Sequence, residues 1–270
     1  MSVIDATSLF AGEQAGEMPD HFSFSSMSLA VTCPEAWRRR YLLRAPSFSS
    51  EALVTGTSVH AGIQRMYDTL RDKPDTSTRS LAASAIETAT TRLQETSLDE
   101  ATKESAEQTT IELLEVYAHQ RPEHVKPIET EKRIEIRVAD SDKPIIGYVD
   151  VEAETSIVEI KTSSKKVTLP SGAWRVQGMV YQSVIPKPVE WHVLVKQKTP
   201  LLIANEALVM AYDEHRVNRA LGLVSATLER LQRLYDERGA FDEWPMDGVL
   251  HPWACGSCDA RWECELGRSA

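Results

Sequence analysis

Gly147-Tyr148-Val149-Asp150 and, beyond a short polar turn, Val158-Glu159-Ile160-Lys161-Thr162 decide how this chain is read. Both segments are rich in apolar residues, and the turn at 153–155 between them predicts an antiparallel strand pair. Residues two apart on a strand share a face, so Glu159 and Lys161 project together while Ile160 turns to the core. Pairing through the tight turn brings Asp150 to the same face. An isolated Glu-x-Lys on a hairpin reads as a surface ion pair. Two acids and an amine set into strands this apolar read as a site.

The period-two pattern extends upstream through Arg133-Ile134-Glu135-Ile136-Arg137-Val138, with Glu131 near its start as an extra acidic contributor to the site. Downstream, 174–184 returns to helical periodicity, 190–196 to strand, and a further strand is expected around 201–209. A long helix over 213–239 follows, its apolar stripe made by Val217, Leu221, Val224, Leu228, Leu231 and Leu234. Ahead of the strands, Leu29, Cys33, Trp37 and Tyr41 recur every four residues and predict a helix over 25–44, which Pro34 either kinks or starts. Further helices are expected over 56–70, 77–96 and 98–120. Residues 1–24 read as a loose arm, and the tail from Trp244 as irregular. Helices, then a strand cluster, one helix and another strand predict an α/β fold with a helical cap. One domain over 25–267 is expected: a helical part (25–125), a catalytic sheet core (126–210), and a long helix with cysteines (211–267).

Asp150 and Glu159 offer the hard oxygen ligands that Mg2+ or Mn2+ takes. Such an ion lowers the pKa of a bound water and neutralises charge building on a scissile phosphate. Lys161 is placed to orient that water or stabilise the added negative charge. The constellation points to metal-assisted phosphodiester hydrolysis.

Gly147-Tyr148-Val149-Asp150 with Ile157-Val158-Glu159-Ile160-Lys161-Thr162-Ser163-Ser164-Lys165 resembles the PD-(D/E)XK nuclease superfamily, and more closely its RecB-like branch. The resemblance implies a restriction-endonuclease-like core with a mixed central sheet flanked by helices. Gly56-Thr57-Ser58-Val59-His60 resembles the family's helix histidine, which implies metal ligation by His60 beside Asp150, Glu159 and Ile160. Gln177-Gly178-Met179-Val180-Tyr181 matches the family's Q-x-x-x-Y motif, and Trp174 before it is also typical of the branch. Four apart, Gln177 and Tyr181 share a helical face, from which they hold the substrate backbone or Lys161. The implied catalytic set is Asp150, Glu159, Lys161, Gln177 and Tyr181.

The four cysteines are Cys33, Cys255, Cys258 and Cys264. The opening residues lack a basic stretch followed by an apolar one, so no secretory signal is expected, and C-x2-C then reads as a metal or redox site rather than a disulfide. By spacing alone the thiolates suit zinc or a cubane cluster. One distant cysteine ahead of three clustered ones is similar to the RecB-like members that carry a 4Fe-4S cluster, among them CRISPR-associated iron–sulfur exonucleases and the AddB nuclease domain. That likeness implies a structural cluster stapling the two ends of the domain, shielded by Trp253 and Trp262.

The net charge of −10 weighs mildly against nucleic acid, whose phosphates call for Lys and Arg, but a metal site must gather carboxylates. Arg38, Arg39, Arg40, Lys165, Lys166 and Arg175 are the candidate phosphate contacts, with Tyr148, Trp174 and Tyr181 as stacking surfaces. The helical stretch 76–120 is a candidate lid or arch admitting free ends. No apolar run approaches the roughly 18 residues a membrane span needs, so a cytoplasmic protein is expected, in the host cytoplasm if phage-encoded. No GK[ST] phosphate loop is present, so unwinding would fall to a helicase partner. The leading expectation is a DNA exonuclease acting on single-stranded ends in recombination, repair or phage DNA processing. Two alternatives stay open: a spacer-processing nuclease working with a CRISPR adaptation protein, and a non-catalytic DNA-binding scaffold.

Overall fold

The computed structural model describes residues 15–46, 50–138, 141–250, 252–256, 258–259, 261 and 264. The chain has an α/β fold. In order, its elements are helices α1 (Phe24–Thr32), α2 (Pro34–Tyr41), α3 (Glu51–Asp72), α4 (Thr78–Gln94) and α5 (Glu100–Gln120); strands β1 (Pro127–Ile136), β2 (Ile145–Ala153) and β3 (Ile157–Ser163); and helix α6 (Gly172–Gln182). Strands β4 (Val189–Val195), β5 (Leu201–Ile203) and β6 (Val209–Met210) and helices α7 (Glu214–Arg238) and α8 (Pro252–Gly256) complete it. No helix among the described residues is long and apolar enough to cross a membrane.

Two compact units result. The sheet unit comprises Ser49–Ile134 and Gly147–Val217; the cysteine unit comprises the described parts of Met1–Phe48, Glu135–Ile146 and Asn218–Ala270.

The sheet runs β1-β2-β3-β4-β5, with β6 also on β4. β2 and β3 are antiparallel, while β3 and β4 are parallel in seven-residue register from Ile157↔Val189 to Ser163↔Val195. A parallel pair needs a crossover, and α6 supplies it. Side chains alternate across β4: Leu194 joins the core formed with α3, α4 and α5, whereas Trp191 lies against Gly178 of α6. Helices therefore cover both faces. Each helix of the sheet unit starts where a side-chain oxygen can take an orphan N–H: Ser50 for α3, Ser77 for α4, Asp99 for α5 and Ser171 for α6.

Helices α4 and α5, expected as a lid, belong to the core. Leu81, Ala85, Leu113, Leu114 and Tyr117 are fully buried with Val59 and Ile63 of α3. The approach is close enough that a Cβ at Gly62 would lie 2.7 Å from Leu114 and 2.9 Å from the Ala85 carbonyl oxygen. This packing fixes the helix that carries His60.

A buried polar chain crosses that core. The Tyr67 and Tyr117 hydroxyls are 2.8 Å apart, and Tyr117 Oη lies 2.8 Å from His192 Nδ1. His192 Nε2 stands 3.8 Å from Glu190, beyond hydrogen-bond length, and Glu190 meets His124 Nε2 at 2.9 Å. Burial opposes ionisation of Glu190, but His192, Ser156 and His124 outweigh it and bring its pKa from 4.5 down to about 2. The folded state therefore binds fewer protons than the unfolded one between these values. The stability this carboxylate supplies is complete above about pH 4.5 and is lost as pH falls toward about 2. Glu190→Gln is expected to flatten that acid limb in urea titrations at stepped pH; an unchanged limb would place its origin elsewhere.

The cysteine unit departs from expectation in two places. Residues 25–44 form two helices, broken at Cys33, which is extended (φ −159°, ψ 103°), with Pro34 at the first position of α2. Proline cannot donate into a continuing helix, so the four-residue spacing of apolar residues did not carry one helix through. The expected arm is also partly anchored. Phe22 is buried and pairs through its backbone with Pro144 and Ile146, and Gly16 N–H donates to the Leu42 carbonyl. Residues 1–14 of that arm lie outside the described residues. Trp37 stacks with Phe22 (centroids 6.0 Å) and Trp244 (5.8 Å) at the centre of the unit.

Candidate functional site

The site grows from a fork between two strands. β2 and β3 pair at Glu152↔Ile157 and Val151↔Val158, a register that sets Asp150 opposite Glu159. At this point a side chain takes over from the backbone ladder: Ile160 N–H donates to Asp150 Oδ2 at 2.7 Å. Helix α3 brings His60, whose Nδ1 lies 3.1 Å from Asp150 Oδ1. Lys161 Nζ donates to Glu159 Oε1 at 2.6 Å and to Gln177 Oε1 at 3.0 Å. Gln177 Nε2 in turn donates to Glu159 Oε1 and to the Tyr181 hydroxyl, both at 2.9 Å. Gly147 is needed here, because a Cβ would meet the Tyr181 ring at 2.9 Å.

Glu159 is 4% exposed, and its Oε2 has no hydrogen-bond partner among the described residues. Burial, then the charge of Asp150, pushes its pKa up to about 7 against the pull of Lys161. Asp150 goes the other way. Burial would raise it, but His60, Lys161 and the Ile160 N–H hold it below its ordinary value. Burial disfavours the His60 cation, and Asp150 overcomes this, so the imidazole titrates above its usual value. Burial, then Glu159, raises the Tyr181 phenol, which stays protonated as a donor. Among the described residues, one group has three potential metal-ligating atoms within 4.8 Å of one another: His60, Glu131 and Asp150.

The PD-(D/E)XK nuclease superfamily model matches residues 21–265, nearly the whole of this arrangement and its framework. The chain belongs to the PD-(D/E)XK nuclease superfamily. Two solved structures are similar to it. A candidate exonuclease from Eubacterium rectale is 14% identical, with a TM-score of 0.49 over 81% of this chain and 82% of that one. A protein designated SSO0001 is also 14% identical, with a TM-score of 0.39 over 90% of this chain and 95% of that one. No curated protein matches the chain.

In this superfamily member, the residues expected from sequence are gathered unevenly. Glu159, Lys161, Gln177 and Tyr181 form one hydrogen-bonded set, while Asp150, opposite Glu159 across the strand pair, bonds to His60 and to the Ile160 N–H. Lys165, Lys166 and Arg175 are exposed, Trp174 is half-buried, and Tyr148 is exposed. Arg38 requires a correction. Its guanidinium is buried, donating to both oxygens of Glu35 at 2.7 Å and to the Ala240 carbonyl at 2.7 Å, so it is not available to a phosphate. Arg39 also donates to Glu35, at 2.6 Å, while Arg40 is more exposed and lies 3.7 Å from Asp259. Glu35 accepts the Trp244 N–H as well, at 2.9 Å, and so ties α2 to the start of the tail.

The cysteines share a neighbourhood in their own unit. Cys255 Sγ is 3.4 Å from the Gly248 carbonyl oxygen, and Cys264 Sγ is 3.5 Å from Met246 Sδ. A Cβ on Gly248 would lie 3.3 Å from Cys33 Sγ. Three thiols thus border the stretch 246–248, and all four cysteines are half-buried. The Trp262 residue and the Trp253 side chain, expected as shields, lie outside the described residues.

Proposed function

We propose that the chain hydrolyses DNA phosphodiester bonds with Mg2+ or Mn2+ at the β2/β3 fork, working from single-stranded ends. Glu159 carries this reading: a deeply buried carboxylate with one oxygen held by Lys161 and Gln177, and the other unpartnered beside Asp150. An uncompensated buried anion is strongly destabilising, and carboxylate oxygens with one imidazole suit a divalent cation. Asp150, Glu159 and His60 would hold it, and the Ile160 N–H sets the angle of Asp150. Bound there, such a cation supplies a water of lowered pKa and neutralises charge on the scissile phosphate.

The chain's own groups do the rest. Lys161, oriented by Glu159 and Gln177, has a third N–H for the attacking water or a phosphate oxygen. Gln177 and Tyr181 fix it from one helical face. Exposed Lys165, Lys166 and Arg175 track the DNA backbone, and Trp174 offers a stacking surface. Cys33, Cys255, Cys258 and Cys264 hold a structural 4Fe-4S cluster, a reading supported by the grouping of three thiols around residues 246–248. Any strand separation comes from a helicase or recombination partner.

The test is digestion of end-labelled single- and double-stranded oligonucleotides and of closed single-stranded circles, with Mg2+, Mn2+ or chelator. Metal-dependent loss of label from linear single strands, with circles spared, is the expected result. Cleavage of circles at the same rate would remove the end requirement, and no cleavage with either ion would remove the hydrolytic reading.

A further inference from the structure

Glu131 lies within a strand yet has a left-handed backbone, φ +47°. Only one other described non-glycine residue has a positive φ, Arg44, which lies just beyond helix α2, where that conformation is common. A glutamate in this region within β1 has no such reason. The strand's alternation fails at the same point: Thr130, Glu131 and Lys132 are all half-buried. Irregularities of this kind re-aim a side chain and are frequent beside active sites.

The re-aimed carboxylate meets a particular set of atoms. One oxygen of Glu131, one ring nitrogen of His60 and one oxygen of Asp150 lie within 4.8 Å of one another. Thr130 and Lys132 are both engaged, with Asp68 at 2.7 Å and Glu152 at 2.6 Å. The Glu131 carboxylate, by contrast, makes no hydrogen bond or ion pair among the described residues. A second observation points to a missing cation beside Asp150: Glu159, opposite it on the neighbouring strand, has a buried oxygen with no hydrogen-bond partner among the described residues. Three carboxylates thus gather where the described counter-charges are Lys161, Arg92 and, when protonated, His60.

We infer that Glu131 is a direct ligand of the divalent cation, completing with His60 and Asp150 a seat that neither the D…E-x-K string nor the helix histidine marks. This rests on the cation-dependent reading above. It adds that the seat extends to β1, on the far side of β2 from Glu159. A nitrogen among the oxygens favours Mn2+ relative to Mg2+.

Calorimetric Mn2+ titration of the full, chelator-stripped chain tests this independently of cleavage, using wild type, Glu131→Gln, Glu131→Gly and Asp150→Asn. Both Glu131 variants should bind Mn2+ at least tenfold more weakly. Glycine accepts a positive φ, so Glu131→Gly should melt in chelator no lower than wild type, while losing most of the upward Mn2+ shift of its melting temperature. Wild-type Mn2+ affinity in either Glu131 variant, with Asp150→Asn impaired, would overturn the assignment and leave the nuclease reading intact. If Asp150→Asn also bound normally, both would fall. A fall in chelated stability of Glu131→Gly with unchanged affinity would make Glu131 a structural residue only.

Discussion

Lys161→Met is expected to cut the rate of DNA cleavage by about 10²–10³-fold, the scale for losing one donor aimed at developing charge. The methionine keeps the aliphatic stem and removes the ammonium. DNA affinity should change little, because the exposed cations Lys165, Lys166 and Arg175 remain. Removing the ammonium 2.6 Å from Glu159 Oε1 takes away a charge that repels the divalent ion, so Mn2+ binding should be kept or strengthened while the rate falls. Single-turnover cleavage and fluorescence anisotropy on the same labelled oligonucleotide separate the two effects. If cleavage fell only in proportion to anisotropy-measured binding, Lys161 would be a substrate anchor rather than part of the hydrolytic machinery.

The second large effect is expected in the other unit. Cys33→Ser should abolish the visible absorbance of anaerobically purified protein. It should also destabilise the cysteine unit by several kcal/mol, the scale of a lost cross-link closing a long loop. The thiol lies between α1 and α2 and borders the same residues as Cys255 and Cys264. Limited proteolysis should then cut first in residues 218–270 and spare the sheet unit. Colourless wild-type protein containing zinc would replace the cluster with a zinc site. Unchanged colour and proteolysis in Cys33→Ser would show that this cysteine ligates nothing.

Much of the fold could be read from periodicity, because its segments are long and their polarity patterns regular. The strands around Asp150 and Glu159 and the helices ending at Gln94, Gln120 and Arg238 fall within a few residues of expectation. The site string was legible because polar residues interrupted strands that were otherwise apolar. What stayed hidden has a physical cause in each case. Glu131 was visible as an extra acidic residue of its strand, but no local pattern announces its positive φ, which stayed hidden. Arg38 belonged to an Arg-Arg-Arg run that suggested phosphate contacts. Glu35, three and four residues before Arg38 and Arg39, was the available sign that this helix would pair them internally. The Tyr67–Tyr117–His192 chain joins residues far apart in sequence, and only tertiary structure brings them together.

The scattered make-up of the cysteine unit also bears on how the chain matures on the ribosome. Every residue of the sheet unit, through Val217, has been polymerised before Trp244 and three of the four thiols exist. At about 5–20 residues per second, the hydrolytic half has a head start of a few seconds. Cys33 must wait through that interval with α2 lacking its anchor at Trp244. On the proposed cluster, supply of iron and sulfide would govern the last stage of biogenesis, and starvation for either should leave a product whose sheet unit has already taken shape.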